Sequence, residues 1–180
     1  MREPENMPGT VLAGRYQLDA IRVDATGSST SAMQFDATDV SSQEAVSVRI
    51  VALANLIDPA LGSTTPDDAL GAYESQADIA ASLRHPCIES VLDHGEVTLD
   101  GDRYVFTVGE RLAGGSLREF LDRGRRLTPS QALIVGIDAC RGLDAAAKQG
   151  ITHGDLRPSR LVFGLDRRVR LVGFGAPLRA

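Results

Sequence analysis

Tryptophan is absent from the chain's 180 residues, and Tyr and Phe are few, so aromatics make up only 4% of it. No apolar run approaches the roughly 18 residues that a membrane-spanning helix needs. Lysine is almost missing as well. Lys148 is the only one, and the remaining basic residues are arginine. Positive charge is in deficit, with a formal net charge of −5. Nucleic-acid binding needs a basic footprint, so that class of partner is not expected. Cys87 and Cys140 are the only cysteines, stand far apart and lack metal-ligand spacing. They read as two reduced, partly buried thiols, as in a cytoplasmic protein. The first residues are polar and contain prolines, with no apolar core of a signal peptide.

The remaining composition is that of a globular chain, 43% hydrophobic and long enough to bury a core as one domain or two small lobes. Residues 1–12 read as a disordered leader. Strand patterns follow at Tyr16-Gln17-Leu18, Ala32 to Ala37 and Val46 to Val51, with a turn cluster at residues 24–29. Residues 55–65 read as loop. Thr65-Pro66-Asp67-Asp68 supplies an N-cap, a proline at the first helical position and acids that complement the helix dipole. The helix this opens carries Leu70, Tyr73, Ala77 and Ala80 at helical spacing and ends before Pro86. Two strands, Ile88 to Val97 and Arg103 to Val108, are joined through Asp100-Gly101, a hairpin turn.

Gly114-Gly115 reads as a hinge. Ser116 and Glu119 form a capping box for a short helix closed by Gly124, and Thr128 and Gln131 do the same for a longer one ending at Gly150. Leu133, Ile137, Cys140, Leu143 and Ala147 are the expected buried stripe of that longer helix. Two short strands follow, Leu161 to Phe163 and Val169 to Val172. Clusters at Arg123, Arg125 and Arg126 and at Arg167-Arg168 read as solvated turns.

Between the long helix and these strands lies Ile151-Thr152-His153-Gly154-Asp155-Leu156-Arg157-Pro158-Ser159-Arg160. This stretch resembles the catalytic loop of bacterial, eukaryotic-type Ser/Thr protein kinases, H-R-D-L-x-x-x-N. His153, Asp155 and Leu156 match, and Pro158 also fits the family. Gly154 replaces the family's Arg and Arg160 its metal-binding Asn. Eighteen positions beyond Asp155, Gly173-Phe174-Gly175 is similar to the magnesium loop D-F-G with its acid lost. His85-Pro86-Cys87-Ile88 and Leu112-Ala113-Gly114-Gly115-Ser116-Leu117 resemble two further segments of the family, in the family's order. The implied fold class is α+β, protein-kinase-like. An antiparallel N-lobe sheet with one long helix would span residues 13–111. The first part of a helical C-lobe would span residues 112–180.

The resemblance places nucleotide-binding positions at Gly27, Arg49 and Gln76. Arg49 stands where the family has Lys and Gln76 where it has Glu, and one phosphate-loop glycine of three is kept. Asp155 is the remnant base. Arg keeps the charge of the Lys but not its compact geometry, and Gln cannot supply the partner charge. In this family magnesium neutralises much of the charge in phosphoryl transfer and requires oxygen ligands. Arg160 and Gly173 offer none. The resemblance so modified implies a pseudokinase-like regulatory or scaffolding module that binds a protein partner. No cofactor is expected, ATP without metal being the exception. The alternative is a divergent Ser/Thr kinase or ATP-binding protein with weak activity. The chain ends five residues after Gly175, so the helix stripe is expected to lack part of its cover and to offer a face for self-association.

Overall fold

The structure, a computed structural model, describes residues 7–22, 32–58 and 62–174. The turn cluster at 24–29 with Gly27, and Gly175 with the residues after it, lie outside the described residues. The described chain forms two compact units. One comprises residues 1–77 and 91–111, the other residues 78–90 and 112–180. Residues 78–90 group with the second unit and not with the sheet.

The first unit is a six-stranded antiparallel sheet in the order β1-β2-β3-β4-β6-β5. Its strands are β1 (Val11–Leu12), β2 (Tyr16–Arg22), β3 (Ala32–Asp39), β4 (Glu44–Ala52), β5 (Val91–Leu99) and β6 (Asp102–Glu110). Alternation decides which face is inside. Leu18, Phe35, Val48, Ile50, Tyr104 and Val108 are all fully buried in one cluster. Residues 7–12, expected within a disordered leader, are part of this core. Met7 and Leu12 have no exposed surface, and Gly9 N–H donates to the Leu18 carbonyl at 2.7 Å. Two buried apolar side chains and backbone hydrogen bonds with Leu18 tie the segment down. The β5–β6 turn places Asp100 and Gly101 at φ 52° and 86°. This is the doubly left-handed geometry of a two-residue hairpin.

The sheet curls. Tyr16 on β2 donates its hydroxyl to Asp93 Oδ2 on β5 at 2.6 Å, though β3, β4 and β6 lie between them in the sheet order. A bulge between Val91 and Asp93 turns Asp93 toward Tyr16. Helix α1 (Pro66–Ser82) lays Ala69, Leu70 and Tyr73 against Val51, Leu53 and Val105.

The second unit holds α2 (Leu117–Asp122), α3 (Pro129–Ala147) and the hairpin β7 (Leu161–Phe163) with β8 (Val169–Leu171). Both expected capping boxes are formed, Ser116 with Glu119 and Thr128 with Gln131. Most of the expected α3 stripe faces outward: Leu133, Ile137, Cys140 and Ala147 are exposed, Leu133 by 66%, and Leu143 is half-buried. Val135, Asp138, Ala139, Gly142 and Ala146 face inward instead. The physical reason is close approach. A Cβ on Gly142 would lie 2.7 Å from Leu171 Cδ1 and 2.8 Å from the Cys87 carbonyl oxygen, so the bare backbone lets β8 come in. Gly114, read as part of a hinge, is pinned. Its N–H donates to the Phe163 carbonyl at 2.9 Å, and a Cβ there would lie 2.4 Å from that oxygen.

Candidate functional site

The second unit builds its site on the β7–β8 hairpin. β8 is held from one side by segment 87–89: Leu171 N–H donates to the Cys87 carbonyl and Glu89 N–H to the Leu171 carbonyl, both at 2.9 Å. From the other side Asp138 of α3, 1% exposed, takes Arg168 at 2.9 and 2.7 Å and the Val169 N–H at 3.3 Å. Burial alone would raise the Asp138 carboxyl. Arg168 and the Val169 N–H outweigh it and hold the group below the ordinary carboxylate value. A buried carboxylate is tolerable only with such partners. This anchor escapes sequence reading, because no local spacing links two residues thirty positions apart. Cys87 is buried beside the same pair and Cys140 is exposed, both as free thiols.

So anchored, the hairpin fixes the loop before it and the segment after it. His153 is buried, its Nε2 3.2 Å from the Val172 carbonyl oxygen and its ring 4.6 Å from that of Phe174. Its Nδ1 accepts the Asp155 N–H at 3.3 Å. With Nδ1 an acceptor, the ring proton belongs on Nε2, which donates to Val172. Burial lowers the imidazole's pKa; the Val172 carbonyl opposes this, and the Arg160 charge adds to it. A neutral structural histidine fits these contacts, and no contact gives it a catalytic task.

Asp155 and Arg160 are brought together. Arg160 donates through Nε at 3.2 Å and Nη2 at 3.1 Å to one oxygen, Asp155 Oδ2. Arg157 Nη2 approaches the same oxygen at 3.5 Å. The guanidinium of Arg160 lies against Gly173, whose φ is +88°. A Cβ at Gly173 would be 2.9 Å from Arg160 Nη1 and 3.1 Å from Cζ. Val172 N–H donates to the Arg160 carbonyl at 3.0 Å.

A divalent metal at this place does not fit the residues present. Two of the three side-chain positions are a cation and a glycine, and the carboxylate already holds two arginines. Among the described residues no cluster of His, Cys, Asp and Glu could hold a metal ion.

In the first unit Arg49 sits at the middle of β4, opposite Gln34 on β3 and Thr107 on β6. Tyr73 reaches this neighbourhood from α1 and shares a hydrogen bond with the Thr107 hydroxyl. Burial raises the Tyr73 phenol, against pulls from Thr107 and the Arg49 charge. Gln76 is half-buried one turn on, and Glu74 is exposed. Sequence reading missed Tyr73 as the polar link between helix and sheet. Its apolar spacing marked it only as core.

No family model matches the chain. Curated relatives do. A probable serine/threonine-protein kinase of Streptomyces coelicolor is 29% identical over 97% of this chain and 24% of its own length. The probable serine/threonine-protein kinase PknB of Corynebacterium glutamicum is 30% identical over 92% of this chain and 24% of its own. The serine/threonine-protein kinase PknB of Mycobacterium tuberculosis is 31% identical over 57% of this chain. The chain spans about a quarter of the length of the first two.

Proposed function

The chain belongs with the bacterial Ser/Thr protein kinases and carries their kinase-like fold, and we propose that it works as a pseudokinase-like regulatory or scaffolding module that binds a protein partner without Mg-ATP phosphotransfer. One observation carries this reading. The retained acid, Asp155, is bound by Arg160 at 3.1 Å, and the neighbouring ligand position is Gly173, which has no side chain and against which the Arg160 guanidinium lies. Phosphoryl transfer depends on positioning and neutralising charge, largely through magnesium. A guanidinium fixed on the acid and a missing ligand remove that means.

What remains is a surface. On α3, Leu133, Ile134 and Ile137 are exposed by 66, 50 and 41%. With Gly136 and Cys140, Leu133 and Ile137 line an open groove of about 560 Å³. An apolar face of this kind suits a protein partner or a second copy. A net charge of −5 argues against nucleic acid. No helix among the described residues is long and apolar enough to cross a membrane.

A second reading, a divergent kinase or metal-free ATP binder of weak activity, is favoured by the retained Asp155 and by Arg49 at the centre of β4. Phosphate transfer from labelled Mg-ATP onto the chain itself and onto a generic acceptor protein separates the two. The module reading expects no transfer above that of Asp155→Asn. Transfer abolished by Asp155→Asn and by Arg49→Ala supports the enzyme.

A further inference from the structure

We propose that Arg160 is the resident cation of this site: Asp155 holds its guanidinium against Gly173, so that an ion pair inside loop 153–160 braces the loop on segment 172–174, and Gly173 is the residue making room for it. The inference goes beyond partner binding and does not depend on it.

The bonds define the brace. One end of the guanidinium grips Asp155 Oδ2 through Nε and Nη2, at 3.2 and 3.1 Å. The other edge lies on the Gly173 backbone, where any Cβ would come within 2.9 Å of Nη1. The same residue's carbonyl accepts the Val172 N–H at 3.0 Å. Arg160 thus meets segment 172–174 through its carbonyl and its guanidinium, while its ion pair with Asp155 stays inside the loop, and His153 spans the two segments a second time through the Val172 carbonyl at 3.2 Å. The Arg160 side chain is 18% exposed and that of Asp155 40%. The pair is sheltered enough to outdo an open surface pair, yet open enough to feel salt. Arg160 and Gly173 are one device: the long cation needs the space that a side chain at 173 would fill. The left-handed φ of +88° at Gly173 favours glycine independently.

Amide hydrogen exchange, read residue by residue on the full chain, tests this. Arg160→Gln and Asp155→Asn are expected to speed exchange of the Val172 and Asp155 amides by about tenfold or more. Gly173→Ala is expected to do the same by displacing the guanidinium. Arg160→Lys, which keeps charge but loses the two-nitrogen grip, should fall between. Arg157→Gln, which removes a cation that does not touch residue 173, should leave both amides protected. Raising salt to about 1 M should speed the two amides in the native chain and not in Arg160→Gln. Unchanged exchange in Arg160→Gln overturns the proposal, as does a native chain indifferent to salt. Equal acceleration of α3 amides also overturns it, for Arg160 would then be an ordinary stabiliser of the unit.

Discussion

Arg168 and Asp138 show what one residue can settle. The Asp138 carboxylate has almost no exposed surface and takes three hydrogen bonds, two from a single guanidinium. Arg168→Ala strands that charge and is expected to cost about 3 kcal/mol, the lower end for breaking a buried pair because Arg168 is itself half-exposed. Denaturant melts of the variant and the parent check it. His153 gives a pH dependence of known sign. Its folded pKa is lowered, chiefly by burial, so the folded state binds fewer protons than the unfolded one in that range. The contribution is complete above the ordinary imidazole value of about 6.5 and is lost as pH falls toward the folded value. His153→Gln should flatten the decline of stability below that point. Neither role is written in adjacent residues: the Val172 carbonyl that His153 meets lies nineteen positions on, and the Arg168 that Asp138 takes lies thirty.

Element starts and turns with local signals were legible, whereas the ordering of residues 7–12 and the inward face of α3 were not. The capping boxes of α2 and α3, the proline start of α1 and the Asp100-Gly101 turn are written in adjacent residues and appear as read. Ser116→Ala is expected to cost about 1 kcal/mol through lost capping, measured by thermal unfolding. The inward face of α3 was misread because apolar residues occur around its whole circumference, so periodicity could not choose a side. Glycine and a charged residue chose it instead. Substitutions on the two faces should therefore differ. Gly142→Ala meets Leu171 and the Cys87 carbonyl inside 3 Å and is expected to cost about 1–3 kcal/mol by overpacking. Leu133→Ser on the exposed face should change monomer stability by less than about 0.5 kcal/mol. Equal losses in the two variants would mean that Leu133 is covered.

At the scale of the whole molecule, the resemblance carried the fold, since four fragments in the right order fix an arrangement that no single fragment does. The kinship with bacterial Ser/Thr kinases agrees with it. The site was legible only in part. The resemblance placed Arg160 and Gly173 at the family's metal-ligand positions, and it could not say that the arginine turns onto Asp155 and rests against the glycine. Residue types are visible in a sequence and side-chain directions are not. In the proposed reading a fixed guanidinium takes the place of a divalent ion. Thermal unfolding with ATP alone and with ATP plus magnesium measures it most directly. The expected midpoints are equal in the two conditions, whether or not ATP itself shifts them. A midpoint that rises only when magnesium accompanies ATP, and that Asp155→Asn lowers again, contradicts the claim.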